Sequence, residues 1–385
     1  MHSRFASLLF AICLSVTATA AALAAFGAPV GFILAVLCLI ATLAWLWAGE
    51  VPEAEGLLSL YLALVPLVLL LQTLRYGGGW VAGFGPLVAT GSVGPGLTDA
   101  LWFLVFVCAP VSAAALGGFA LAVRHPLGWL MAWWAALWAI AEALLQVALA
   151  GAGGWSALDA AGLVVAAALV VVGALLLQRL GAGKARPRPE PALPDPRRRR
   201  LWAVLFVALA LVYAATLYVE AGLLVVGVII GSMMGGLIGW WHTTSLRPAD
   251  PARLLPLLLL MLAFFYVHVG EETLTGFNQA IAALTGNPWP EDRFLLIIAL
   301  AGPVVWFFAA WSLWKGQAAG NFLLWFLIVG MILGEPAHVL IFPVVVMIEH
   351  GGGYAYFSGM YSALVPMIPA ILALAEILRT RRKTA

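Results

Sequence analysis

Apolar residues in this chain gather in runs of about twenty, the length a helix needs to cross the hydrocarbon core of a bilayer. The runs predict spanning helices over 5–25, 29–48, 57–75, 100–123, 127–150, 156–180, 201–219, 222–244, 254–277, 293–314, 321–348 and 354–377. The expected fold class is therefore all-α: a polytopic transmembrane helical bundle of about twelve spans. Composition agrees. The 385 residues are 64% hydrophobic and 9% charged, whereas a soluble domain carries about 25% charged residues. No soluble domain, phosphate-cradling loop or nucleotide motif stands out. Cys13, Cys38 and Cys108 fall inside apolar runs, so neither a disulfide framework nor a thiolate metal site is suggested.

Charge gives the bundle a direction. With a cytoplasmic N-terminus and alternating spans, all of the 19 Lys and Arg residues except Arg75 and Arg293 fall on the inner side. That is the positive-inside bias, and it predicts cytoplasmic N- and C-termini. Residues 1–24 also have the look of a cleavable signal peptide, with Arg4, an apolar stretch and the small residues Ala18 to Ala22. Retention and cleavage leave the later spans in the same orientation.

Residues 181–200 hold five prolines and Arg197 to Arg200. Such a segment builds no core and reads as a solvated loop whose arginines lie against anionic headgroups. In a membrane loop so short a tract does not read as nucleic-acid binding. It divides the chain into an N-terminal six-helix half, 1–180, and a C-terminal six-helix half, 201–385. A faint parallel echo links Pro66 with Pro256 and Glu142 with Glu335. Glu142 and Gln146, at i and i+4, are expected to hydrogen-bond within the first half. Gly227, Gly231, Gly235 and Gly239 form a stripe for close helix approach, either inside the bundle or in a homodimer. The glycine-rich outer loop 76–98 reads as flexible or as a cap over a site.

The chemistry concentrates in the second half. His268-Val269-Gly270-Glu271-Glu272 sits near the end of an apolar run. Ionisable groups within the bilayer are costly and mark function by default. On a helix His268, Glu271 and Glu272 share a face. Counted from Leu254, His268 lies about 21 Å along its helix and Glu272 about 27 Å. Counted from Asn321, Glu335 lies about 21 Å and His338 about 26 Å along theirs. Two helices running the same way therefore bring their ionisable groups to one depth, in the outer half of the membrane.

Two imidazoles and three carboxylates suit zinc, iron or manganese, with His268, Glu272, Glu335 and His338 as candidate ligands. Glu271 or Glu272 is the candidate general base, with His268 in the same catalytic set. Tyr356 lies just beyond, after the flexible Gly351 to Gly353, and joins it. Without a metal, a protonated glutamate beside a histidine serves acid–base catalysis or a transporter's proton relay. The same residues can also pair merely to hold helices together.

His268-x-x-Glu271-Glu272 resembles the signature of the HXXEE-domain family, bacterial integral membrane proteins whose signature His and Glu residues suggest enzymes, which implies a bacterial inner membrane. The family's second motif, Asn-Ala-x-x-His, has its histidine at His338, with Gly334 and Glu335 in place of Asn-Ala. Its third, Arg-x-x-x-Tyr-x-Pro-Gly, is similar to Gly352 through Tyr356-Phe357-Ser358-Gly359, with Gly352 for arginine and Ser358 for proline. The resemblance covers about residues 254–377. Glu271-Glu272 is also similar to the opening of the intramembrane CaaX-type protease pattern, but Gly276 stands where its arginine belongs. The leading expectation is a metal-assisted or acid–base hydrolase acting on a lipid-like or membrane-embedded substrate. The alternative is a proton- or cation-coupled transporter using the same residues.

Overall fold

The computed structural model of the protein describes residues 2–26, 28–48, 55–78, 103–152, 157–182 and 196–382. Among them every regular element is helical, and eight helical stretches are long and apolar enough to cross a membrane. The chain is an integral membrane protein built of helices. Most of the 181–200 linker and of the 76–98 loop lies outside the described residues. The helices fall into two compact units, Met1–Arg188 with Leu300–Phe307, and Pro189–Ala299 with Phe308–Ala385.

The first unit contains α1 (His2–Phe26), α2 (Ala28–Ala48), α3 (Glu55–Gly77), α4 (Ala109–Ala122), α5 (Pro126–Ala152) and α6 (Ala157–Ala182). Helix α1 packs on α2, α4 on α5, and α6 on both α5 and α3. Small residues set the spacing: a Cβ on Gly117 would stand 2.6 Å from Tyr61 Oη. That hydroxyl donates to Ala114 O at 2.6 Å. The polar centre of this unit is Arg75. Its Nη1 bridges the Glu142 carboxylate, Nη2 donates to Glu142 O at 2.9 Å, and Nε donates to Gln146 Oε1 at 3.0 Å. All three side chains are buried. Glu142 and Gln146 thus hydrogen-bond within the bundle, and their partner is an arginine that charge counting had assigned only to the outer side.

The second unit begins with α7 (Pro196–His242), whose 47 residues would measure about 70 Å as one straight rod. The chain reverses instead at Gly222, where φ is 79° and ψ −177°. Phe206 therefore meets Trp240 edge-on with ring centroids 5.2 Å apart, and Arg199 donates to Ser245 Oγ at 2.9 Å. The two arms correspond to the separate runs 201–219 and 222–244. A side chain at 222 would need the left-handed half of φ space and would meet Asn287 Nδ2 at 2.1 Å, so only glycine fits this turn.

Next come α8 (Pro251–Thr275), α9 (Phe277–Thr285), α10 (Glu291–Phe294), α11 (Gly302–Trp314), whose residues up to Phe307 belong to the first unit, and α12 (Ala318–Val329). Helix α12 packs along α7. Built Cβ atoms on Gly235 and Gly239 would come within 2.9 Å of Val329 Cγ1 and 2.4 Å of Trp325 Cε3. Half of the glycine stripe is thus covered by the chain's own α12, which removes Gly235 and Gly239 from any homodimer face. Cβ atoms built on Gly227 and Gly231 would meet nothing within 4 Å among the described residues. The chain ends through α13 (Ala337–Leu340), α14 (Phe342–His350) and α15 (Met367–Arg382).

The clearest departure from expectation is the run 354–377. Helix α15 starts only at Met367, and residues 351–366 form an irregular segment. Gly351, Gly352 and Gly359 there have positive φ, which breaks helical continuation. Glu271 supplies acceptors for backbone N–H groups of the segment, so it needs no helical ladder to satisfy them.

Candidate intramembrane His/Glu site

Local rules place the first half of the site. Asp250 caps α8 by accepting from Ala252 N at 3.0 Å, and Pro251 occupies the first turn, where a missing N–H costs nothing. Gly276, left-handed at φ 70°, ends the helix. His268 to Glu272 therefore occupy its last two turns. The second half rests on α12. Asn321 Oδ1 accepts from Ala249 N at 2.8 Å, so α8 and α12 start at one level. A π-helical turn, Gly330–Gly334, follows α12, and Pro336 interrupts the ladder just after it. The break releases Glu335 and His338 from regular helical spacing.

Four of the candidate residues converge. His268 Nε2 lies 2.8 Å from Glu335 Oε2 and 3.7 Å from Glu272 Oε1. His338 Nε2 lies 3.3 Å from Glu272 Oε1. The two imidazole planes are nearly perpendicular, with centroids 4.7 Å apart. His268, Glu272 and His338 together could hold a metal ion, and all three are buried.

The other ring nitrogens fix the tautomers. His338 Nδ1 is 2.7 Å from Ser358 O, which can only accept, so Nδ1 carries the proton. Ser362 Oγ donates to the Glu271 carboxylate and therefore accepts from His268 Nδ1 at 3.1 Å. In the neutral imidazoles the Nε2 lone pair of His268 then faces Glu335 and Glu272, and that of His338 faces Glu272. Glu335 is 2.8 Å from His268 Nε2 without forming a ring hydrogen bond, and among the described residues this nitrogen has no hydrogen-bond partner. Lone pairs and carboxylates at these distances repel unless protons or a cation stand among them. Outer hydrogen bonds that aim a histidine's second nitrogen inward are also the usual support of a metal ligand.

Glu271 stands apart from this cluster. Its carboxylate accepts from Tyr356 Oη at 2.7 Å, Tyr361 N at 3.0 Å, Ser362 N at 2.8 Å and the Ser362 hydroxyl. With four donors it ties down residues 356–362. Tyr356 is likewise engaged with Glu271 and stacks on Tyr361 with centroids 4.6 Å apart, both rings being exposed. Burial, reinforced by the adjacent Glu271 carboxylate, holds the Tyr356 hydroxyl above the usual phenol range.

Sequence reading singled out neither Ser362 nor the role of Gly359. At Gly359, φ is 84°, and a Cβ would stand 2.6 Å from His338 Nδ1 and 2.8 Å from His268 Cε1. The backbone here lies directly against both imidazoles. Phe277, Phe342 and Phe357 close the other side of His338, with centroids 4.8, 5.2 and 6.4 Å from its ring. Outward from the cluster, Val267, Leu333 and Leu340, each one or two residues from a site residue, are 55%, 69% and 67% exposed. Comparison with protein-family models, curated proteins and solved structures finds no match to this chain.

Proposed function

We propose that this protein is a membrane enzyme in which His268, Glu272 and His338 hold a divalent transition metal, zinc, iron or manganese, and that it hydrolyses a lipid-like or membrane-embedded substrate. One observation carries the reading: both imidazoles are pinned through Nδ1 and turn Nε2 toward the Glu272 carboxylate, with Glu335 beside His268. A metal bound there supplies Lewis-acid activation of water and of a substrate oxygen. Glu272, between the two imidazoles, is the carboxylate ligand. In this reading Glu335, the more exposed of the pair at 14% against 7%, accepts the proton of an attacking water. Glu271 and Tyr356 hold the covering segment rather than act on substrate. Phe277, Phe342 and Phe357 keep bulk water from His338. The exposed Val267, Leu333 and Leu340 favour a substrate that arrives through the lipid. The resemblance to the HXXEE-domain family points the same way.

Metal analysis of the purified protein tests this. About one metal ion per chain is expected in the wild type and none in the His268→Ala, His338→Ala double variant. A wild-type protein that hydrolyses lipid esters with no stoichiometric metal overturns the metal and leaves acid–base chemistry.

A second reading rests on the 2.8 Å His268–Glu335 pair beside a π turn and Pro336. A carboxylate and imidazole on a broken helix suit a proton-coupled transporter. Uptake into proteoliposomes that follows a pH gradient and vanishes in Glu335→Gln would favour it.

A further inference from the structure

The reversal of α7 brings the arginine-rich start of its first arm against the end of its second. Arg199 donates to Trp241 O at 2.7 Å and to Ser245 Oγ, and its guanidinium carbon sits 3.7 Å above the Trp241 ring. The indole is therefore fixed in place. It forms one wall of a groove of about 320 Å³ lined by Ala203, Leu237, Ile238, Trp241 and His242. The groove opens on a strongly apolar surface: Leu201, Val204 and Ile238 are 59%, 65% and 60% exposed. Such a surface on a membrane helix meets acyl chains. Its mouth is cationic. Arg199 and Arg200 precede Ala203 by four and three residues and so share its face. Arg200 and His242 are exposed. A guanidinium has five N–H donors, and Arg199 places two of them on Trp241 and Ser245.

We propose that this groove binds one anionic phospholipid, with the phosphate on Arg199, Arg200 and His242 and part of one acyl chain between Ala203, Leu237, Ile238 and Trp241. Charge selects the headgroup and the apolar walls select a lipid over a soluble phosphate; basic pockets between membrane helices recognise headgroups in this way. The site is separate from the His/Glu cluster and independent of the hydrolase reading.

The full-length protein in neutral detergent tests it, with lipid retention read by native mass spectrometry. Phosphatidylglycerol is expected to be retained about tenfold better than phosphatidylcholine of the same chains. Arg200→Ala with His242→Ala should reduce that preference to near parity. Ile238→Trp fills the groove without changing charge and should lower phosphatidylglycerol retention to a similar degree. Glycerol phosphate, which has no acyl chain, should not compete. All three changed positions are exposed, so unaltered thermal unfolding is the check that the variants fold. Equal retention of the two lipids by the wild type overturns the proposal. So does full retention by the correctly folded Ile238→Trp, which would show diffuse electrostatic attraction, or displacement by equimolar glycerol phosphate.

Discussion

Glu271 and Glu272 are chain neighbours with opposite commitments. Glu272 Oε1 lies 3.3 Å from His338 Nε2 inside the buried cluster, while Glu271 is taken up by Tyr356, Tyr361 and Ser362. The two are expected to separate on mutation. Glu272→Gln should abolish metal retention and leave residues 356–362 as protected from hydrogen exchange as in the wild type. Glu271→Ala strands four donors and should release that segment. Loss of hydrogen bonds to a charged group costs about 1.5–3 kcal/mol each where they are buried; here the carboxylate is partly exposed, so about 2 kcal/mol in total is expected, measured as faster exchange at Tyr361 and Ser362.

The Tyr356–Glu271 bond adds a pH dependence. The bond needs the phenol proton, and the hydroxyl titrates above its usual range. Its contribution is therefore fully present below the ordinary tyrosine pKa of about 10 and fades as pH rises through the higher folded value. Tyr356→Phe should remove that alkaline dependence from segment protection, with neutral-pH behaviour changed only slightly. A wild-type segment that already loosens between pH 7 and 9 would contradict this.

Gly359 predicts a sharper defect than its size suggests. In Gly359→Ala the methyl would overlap His338 Nδ1 and His268 Cε1 and would force a non-glycine residue to φ 84°. Strain of this kind costs about 1–3 kcal/mol, and relief by moving the segment would pull Ser358 O from His338 and Ser362 from His268. Loss of both metal and thermal stability is expected, read by metal content and melting midpoint. Gly351→Ala, whose Cβ would meet nothing within 4 Å among the described residues, shares the backbone penalty without the overlap and should keep the metal.

What could be read from the chain and what could not divide on physical lines. Helices were legible because a spanning segment must be almost wholly apolar, whatever its neighbours. The meeting of His268 with Glu335 was approachable from rise per residue, since Ala249 and Asn321 start α8 and α12 together. The run 354–377 misled because its apolar side chains count equally whether they face lipid or cover a site. What ends the helix there is local and remote at once: positive φ at Gly351, Gly352 and Gly359, and a carboxylate some 90 residues earlier that takes the backbone N–H groups of Tyr361 and Ser362. The Arg75–Glu142 pair joins side chains 67 positions apart and depends on which helices touch, which hydropathy does not encode.

Ser362 offers a test of the outer hydrogen bonds themselves. Its hydroxyl accepts a hydrogen bond from His268 Nδ1 and donates one to Glu271. Ser362→Ala keeps the backbone N–H bond to Glu271, so the segment stays in place, but His268 loses the acceptor that fixes its tautomer. Removing such a support lowers metal affinity by about 10–100-fold in metal sites generally. A drop in that range is expected for Ser362→Ala by competition with a chelator, with little change in melting midpoint after metal removal. Ser362→Thr, which preserves the hydroxyl, should restore most of the affinity. Unchanged affinity in Ser362→Ala would mean that Nδ1 does not orient this imidazole.

The buried ion pair of the first unit provides the final expectation. Arg75→Met leaves the Glu142 carboxylate uncompensated between α3, α5 and their neighbours and also strands Gln146 Oε1. Breaking one side of a buried pair costs about 3–5 kcal/mol. The double change Arg75→Met, Glu142→Gln removes both charges and should recover most of that loss. Unfolding in graded denaturant, followed by a probe on α5, separates the two variants. If Arg75→Met and the double variant unfold alike, the pair contributes packing rather than charge compensation; the bidentate hold of Arg75 on the Glu142 side chain and carbonyl argues for compensation.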